Sequence, residues 1–195
     1  VRDIQTFMEH LKVAHGIDLP EVFVVAQSVG AVLVSTWVHD YAPAIRGMSL
    51  ASPAFQVKLY VPFARAGIRL WQQVVGPFFV NSYVKAKFLT HDPARIASYE
   101  ADPLIARPIA SHILLGLYEA AARVVADAAA ITVPTQVLIS GADWVVHQKP
   151  QRRFASTLGS AVKEVHELPG FYHDTLGEKD RHLALARIRD FVQRC

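Results

Sequence analysis

The 195-residue sequence predicts an α/β fold, a mostly parallel sheet with helices on both faces and a helical insertion in its middle. Three observations predict it. Short strand-like runs recur, and the first, 21–26, is rich in β-branched residues and apolar on both faces, which is the signature of a strand buried inside a parallel sheet. Stretches with apolar residues at helical spacing separate these runs, as right-handed parallel crossovers require. One long segment punctuated by proline, without any such strand run, interrupts the alternation.

The elements follow in order. Ile4, Phe7, Met8 and Leu11 fall at helical spacing, with Gly16 as a C-terminal stop. The run 21–26 is a strand, Gln27-Ser28-Val29-Gly30 is a turn, and 31–41 resumes as a helix. A second buried strand spans 45–50 and closes at Ala51-Ser52-Pro53. Residues 54–130 carry prolines at 62, 77, 93, 103 and 108 between amphipathic pieces, and predict a helical cap inserted in one 1–195 domain. Strand texture returns at 134–140, a helix is expected over 150–158, and a last strand over 162–168. The final helix, 179–193, places Leu183, Leu185, Ile188, Phe191 and Val192 on one side.

Composition narrows the function. Hydrophobic residues make up 52% of the chain, enough for a sizeable core and too many for a disordered segment. The net charge of +3 is scattered, without the basic clusters or aromatic-basic signatures of nucleic-acid modules. Cys195 is the only cysteine, which allows no internal disulfide and favours a reducing, cytoplasmic compartment. The 17 residues from 22 to 38 carry no charge, the lower limit for a membrane span. Ser28, Gly30, Ser35 and Thr36 interrupt them, and a buried strand followed by a buried helix accounts for them better. No histidine or cysteine spacing predicts a metal site, and no cofactor is expected.

Ala26-Gln27-Ser28-Val29-Gly30 carries the sharpest chemistry. Between a buried strand and a helix, a serine on a tight turn is lifted above the sheet edge as a nucleophile elbow. Small residues two before and two after it are expected where strand and helix backbones close on each other, and Ala26 and Gly30 stand there. The Val29 backbone N–H, at a helix N-terminus, is the expected oxyanion donor. A serine nucleophile needs a base, and the base an orienting carboxylate. Asp143 follows the strand 134–140 and His173 follows the strand 162–168, so Ser28, Asp143 and His173 all emerge at the carboxyl edge of one sheet. Asp174 reads as a loop hydrogen-bonding residue rather than the acid of the set.

With these residues in place, the sequence resembles the monoacylglycerol lipase and lysophospholipase group of α/β hydrolases, the serine-aminopeptidase-like hydrolases. The resemblance runs along the whole chain. Besides the elbow it rests on Ser52-Pro53-Ala54-Phe55, Leu89-Thr90-His91-Asp92-Pro93, Asp102-Pro103-Leu104, Gly141-Ala142-Asp143-Trp144-Val145-Val146 and Phe171-Tyr172-His173. It implies the α/β-hydrolase fold and hydrolysis of a lipid-like ester, a monoacylglycerol or lysophospholipid, through an acyl-enzyme without a cofactor. Gln27 departs from the histidine that many members carry there, Ala26 from the usual glycine, and Ala31 from a frequent glycine. The family's first strands, with its second oxyanion donor, have no counterpart in these residues, so a longer polypeptide is the expectation. The same three residues would also serve a small-ester esterase, a thioesterase or a peptidase, and the fold without turnover would be a binding module.

The cap is expected to supply substrate preference. Tyr60, Phe63, Ile68, Leu70, Trp71, Val74, Val75, Phe78 and Phe79 make it apolar and aromatic, some packing it onto the sheet and some lining an acyl pocket over Ser28. Lys58, Arg65 and Arg69 are candidates for lipid headgroups, and the cap for transient contact with a membrane surface. The expected partner is a small acyl ester or lipid; the sequence carries no sign of the oligomeric state.

Overall fold

The two strands in which every residue is buried form the middle of the sheet. The computed structural model describes residues 1–58, 63–82 and 84–195. It runs α1 (Arg2–His15), β1 (Phe23–Gln27), α2 (Val29–Tyr41) and β2 (Gly47–Ala51). An inserted region follows, with α3 (Ala64–Val75), β3 (Phe79–Asn81), α4 (Pro93–Ala101), β4 (Pro108–Ala110) and α5 (Ser111–Ala126). The chain closes with β5 (Thr135–Ser140), α6 (Gln148–Thr157), β6 (Lys163–Leu168) and α7 (His182–Arg194). The main sheet is parallel in the order β1-β2-β5-β6, with Leu50 opposite Ala26 on one side and Val137 on the other. This is the α/β-hydrolase fold.

Helix ends follow local chemistry. Gly16 stops α1 in the left-handed region at φ 69°, a conformation glycine adopts without a Cβ penalty, and its amide bonds back to the Lys12 carbonyl. Asp92 caps α4, accepting from the amides of Ala94 and Arg95, with Pro93 at the first helical position where no amide is needed. The charge-free stretch 22–38 resolves into β1 and α2. Its polar residues are paired locally: the Ser35 and Thr36 hydroxyls donate to the carbonyls of Ala31 and Val32. Among the described residues, no helix is long and apolar enough to cross a membrane.

The core lies on both faces of the sheet. On one, Trp37 and Val38 of α2, Met48, Leu50, Val137, Ile139 and Phe154 pack together with α5 and α6. On the other, Leu138, Leu168, Phe171, Ala184 and Ile188 pack under α7. Each large apolar side chain so buried contributes roughly 1.5–3 kcal/mol. Trp37 Nε1 donates to Gln5 Oε1 at 3.0 Å, which fixes α1 against α2.

Two expectations change. The inserted region is not purely helical: β3 and β4 pair antiparallel, Phe79 opposite Ala110 and Asn81 opposite Pro108. Strands of three residues are too short for a period-two pattern to show. Helix α5 does not belong to the cap alone, because Ala121, Val124 and Val125 in its second half join the main core. Strand β1, whose sequence reads as a central strand that has lost one neighbour, stands at the edge as expected: among the described residues it pairs with β2 alone, and Val25 is exposed.

Candidate active site

Ser28 sits between β1 and α2 at φ 55°, ψ −119°. A non-glycine residue held there costs about 1–3 kcal/mol, so its surroundings must over-determine it. They do: the Ser28 amide donates to the Ala51 carbonyl at 2.9 Å, and its carbonyl accepts from Ala54 N at 3.1 Å and Val32 N at 3.3 Å. The exit of β2 thus grips the turn on both sides. Ala26 is buried as expected, but the crowding expected at Gly30 is absent, since a Cβ built there meets nothing within 4 Å among the described residues. Val29 opens α2, where first-turn amides have no intrahelical partner.

Asp143 leaves the end of β5 in a turn that fixes its carboxylate. Its Oδ1 accepts from Val145 N at 2.7 Å and Val146 N at 2.9 Å, leaving Oδ2 free to point at His173 Nδ1, 2.8 Å away. His173 Nε2 lies 2.7 Å from Ser28 Oγ. With the ring proton on Nδ1, His173 donates to Asp143 and the Ser28 hydroxyl donates to Nε2. Both side chains are shielded from solvent: Asp143 is 4% exposed and His173 5%. The structure therefore brings Ser28, His173 and Asp143 into one unbroken relay.

Further residues support this chain of hydrogen bonds, and sequence patterns did not reveal how they pair. Gln27 Nε2 donates to Asp174 Oδ1 at 2.8 Å while its Oε1 accepts from Leu176 N at 2.9 Å. Asp174 also accepts from Arg95 Nε at 3.1 Å and from the Gly177 amide, so it is the loop residue expected of it. Beneath them Thr175 Oγ1 bridges Ser52 Oγ at 2.8 Å and Ser140 Oγ at 3.0 Å, linking the ends of β2 and β5 to the His173 loop. The one sequence-level sign was Gln27 itself, a polar side chain where the family often has histidine.

A second polar cluster lies behind the loop. Glu178 is buried, which pushes its carboxyl up, but hydrogen bonds from the Thr90 hydroxyl and the His91 amide and ring outweigh that and hold it at about 2. His91 in turn packs against Tyr172, with ring centroids 3.7 Å apart and the planes tilted by 34°. Elsewhere, hydrogen bonds donated by the His39 ring to Asp40 and Asp127 raise it above its ordinary value, and His166 pairs with Glu164 at 2.9 Å. Among the described residues, no group of three or more His, Cys, Asp or Glu side chains is arranged to hold a metal.

A cavity of about 770 Å³ opens onto Ser28, Val29 and His173, with Val57, Ile68 and Val80 among its apolar walls. Of the apolar cap residues named above, some expected to pack the cap and some to line a pocket, Ile68 lines it. Phe63, Leu70, Trp71, Val74, Val75 and Phe79 are exposed instead, Phe78 is half-buried, and Tyr60 lies outside the described residues. Periodicity places residues on one helix face but not which face turns inward. The basic residues are engaged within the chain: Lys58 Nζ donates to the Asp143 carbonyl, Arg65 lies over the Tyr118 ring, and Arg69 pairs with Glu119 at 3.0 Å.

The family model described as serine aminopeptidase, S33, matches residues 1–180. The Escherichia coli (strain K12) protein YnbC is 58% identical over 194 residues, all of this chain but 33% of that protein. This chain thus spans about a third of the length of that relative. A monoacylglycerol lipase of Mycolicibacterium smegmatis is 23% identical over 202 residues, covering 98% of this chain and 71% of that one. Among solved structures, a Paleococcus ferrophilus monoacylglycerol lipase superposes with a TM-score of 0.87 at 21% identity, covering 100% of this chain and 74% of the other. A Saccharomyces cerevisiae monoglyceride lipase gives 0.82 at 16% identity, covering 99% and 67%. At such identities the two structures speak for the fold.

Proposed function

This chain belongs to the serine aminopeptidase, S33, family, and from that membership we propose that it is a serine hydrolase cleaving carboxylic esters of lipid-like substrates. The observation that carries the reading is the 2.7 Å approach of Ser28 Oγ to His173 Nε2 at the floor of an apolar cavity. His173 takes the Ser28 proton as Oγ attacks the ester carbonyl, and Asp143 stabilises the imidazolium. The tetrahedral oxyanion forms against the Val29 amide at the start of α2, where donors are fixed before the charge develops. Collapse expels the alcohol, which leaves with the proton from His173. Water, deprotonated by His173, then cleaves the acyl-enzyme and frees the acid and Ser28.

The substrate class is a monoacylglycerol or lysophospholipid. A cavity of about 770 Å³ falls in the range that encloses small ligands, and its apolar walls favour an acyl chain over a peptide. Leu70, Trp71 and Val74 on the exposed side of α3 support transient contact with the lipid surface that holds such esters. The test is labelling by a fluorophosphonate probe together with turnover of a monoacylglycerol, a short-chain ester and a peptide amide. Labelling that Ser28→Ala abolishes, with turnover of the monoacylglycerol, is the expected result. A folded chain that neither reacts nor turns over any of the three would be a binding module instead.

A further inference from the structure

The segment that leads into α4 is bound to the His173 loop along its length. The Asp174 amide donates to the Leu89 carbonyl at 2.8 Å. Glu178 accepts from the Thr90 hydroxyl at 2.6 Å and from the His91 amide at 2.7 Å, and Arg181 Nη1 donates to Asp92 Oδ2 at 3.2 Å. The last link comes from α4 itself: Arg95 Nε donates to Asp174 Oδ2 at 3.1 Å. The other oxygen of that carboxylate accepts from Gln27 Nε2. One carboxylate, on the residue after His173, thus ties the cap to the residue before Ser28.

The pair is given its own room. The Asp174 side chain is only 14% exposed, and a Cβ on Gly177 would lie 2.1 Å from Asp174 Oδ2 and 2.9 Å from Arg95 Nε. Glycine is needed there for space, since its φ lies outside the left-handed region. The same segment also reaches the catalytic cavity. Leu89, where it begins, and Tyr99, one turn beyond Arg95 on α4, both line the space that opens onto Ser28 and His173. An ion pair with an exposed arginine contributes little to stability, so bracing the fold does not account for Arg95.

We infer that Arg95 is a positioning residue that couples the cap to the catalytic groups. An acyl chain held against Leu89 and Tyr99 fixes α4, and α4, through Arg95 and Asp174, fixes His173 and Gln27 in register with Ser28. Long acyl chains therefore raise kcat and do not merely lower KM. The inference rests on the ester-hydrolase reading and deepens it. Binding energy from a part of the substrate that does not react is spent on orientation in this way. The acyl chain stays attached to Ser28 after the alcohol leaves, so the coupling serves both halves of the reaction.

The experiment measures kcat and KM on p-nitrophenyl butyrate and p-nitrophenyl decanoate for wild type, Arg95→Ala and Arg95→Lys. The wild-type kcat is expected to be roughly 5–20-fold higher on decanoate than on butyrate. Arg95→Ala should bring that ratio close to one, chiefly through kcat on decanoate, and Arg95→Lys should restore part of it. In an Asp174→Ala background, Arg95→Ala should lower the ratio no further, because the two residues act as one. A wild-type kcat that does not rise with chain length, or an Arg95→Ala loss that is equal on both esters or confined to KM, overturns the inference and leaves ester hydrolysis standing. So does a lysine variant no better than alanine, or effects that add in full in the double variant. A melting temperature lowered by more than about 4 °C in Arg95→Ala also overturns it, because the residue would then hold the fold. Failure of the wild type to hydrolyse either ester overturns the ester-hydrolase reading, and this inference with it.

Discussion

Gln27 Nε2 donates a 2.8 Å hydrogen bond to Asp174 Oδ1, joining the residue before Ser28 to the residue after His173. The two ends of the relay therefore do not rely on Ser28 and His173 alone to stay in register. With Leu176 N on its carbonyl oxygen as well, Gln27 holds the His173 loop at two points.

Gln27→Ala is expected to lower kcat by about 10–100-fold with little change in KM, since a misplacement near 1 Å costs that order of rate. Gln27→Glu keeps the shape but sets a second carboxylate against Asp174. It should be worse than alanine at pH 7 and recover in part as the pair takes up a proton at lower pH. Steady-state kinetics across pH for the three proteins checks this; equal kcat in all three would remove Gln27 from any positioning role.

Asp143→Asn should cost about 10⁴ in kcat, because the amide favours the wrong imidazole tautomer. The fold should survive, since the asparagine oxygen can still accept from Val145 N and Val146 N. Stopped-assay rates beside a circular dichroism melt separate the two effects.

Gly159→Ala should destabilise the protein by about 1–3 kcal/mol or more, because overpacking forces backbone apart. A Cβ at 159 would lie 2.0 Å from the Ala129 carbonyl oxygen, and that neighbour is backbone rather than a side chain that can swing away. Urea unfolding should show a lower midpoint with an unchanged slope.

Glu178 gives a pH signature. Its carboxyl is held at about 2 in the folded chain against an ordinary 4.5. The stabilisation is therefore fully present above about 4.5 and is lost as pH falls from there toward 2. Glu178→Gln should be less stable than wild type at pH 7, and the gap should narrow below pH 4.5. Denaturant midpoints between pH 3 and 7 measure it; a constant gap would mean that charge has no part in it.

The framework was readable because burial and chemistry coincide along the sequence. β2 and β5 are short, largely apolar runs buried at every residue, and Ser28, Asp143 and His173 each follow a strand whose direction the fold dictates. Chain order then confines them to one edge of one sheet. What escaped depends on partners far apart in sequence. The bond between Gln27 and Asp174 spans 147 residues, and nothing local to either announces it. The aromatic cap residues were legible as apolar, but their outward direction follows from how α3 and α5 pack. The β3 and β4 strands were hidden by their brevity.

The backbone of Ser28 has an evolutionary consequence. At φ 55°, ψ −119°, glycine would be the more comfortable residue, so Ser28→Gly should raise stability by roughly 1 kcal/mol even as it removes the hydroxyl. Mutational drift therefore runs downhill toward glycine at this one position. In a lineage where the hydroxyl no longer mattered, the serine would be among the first residues of the fold to go, and a sheet with its strands intact and glycine at this turn would mark a descendant that had stopped reacting.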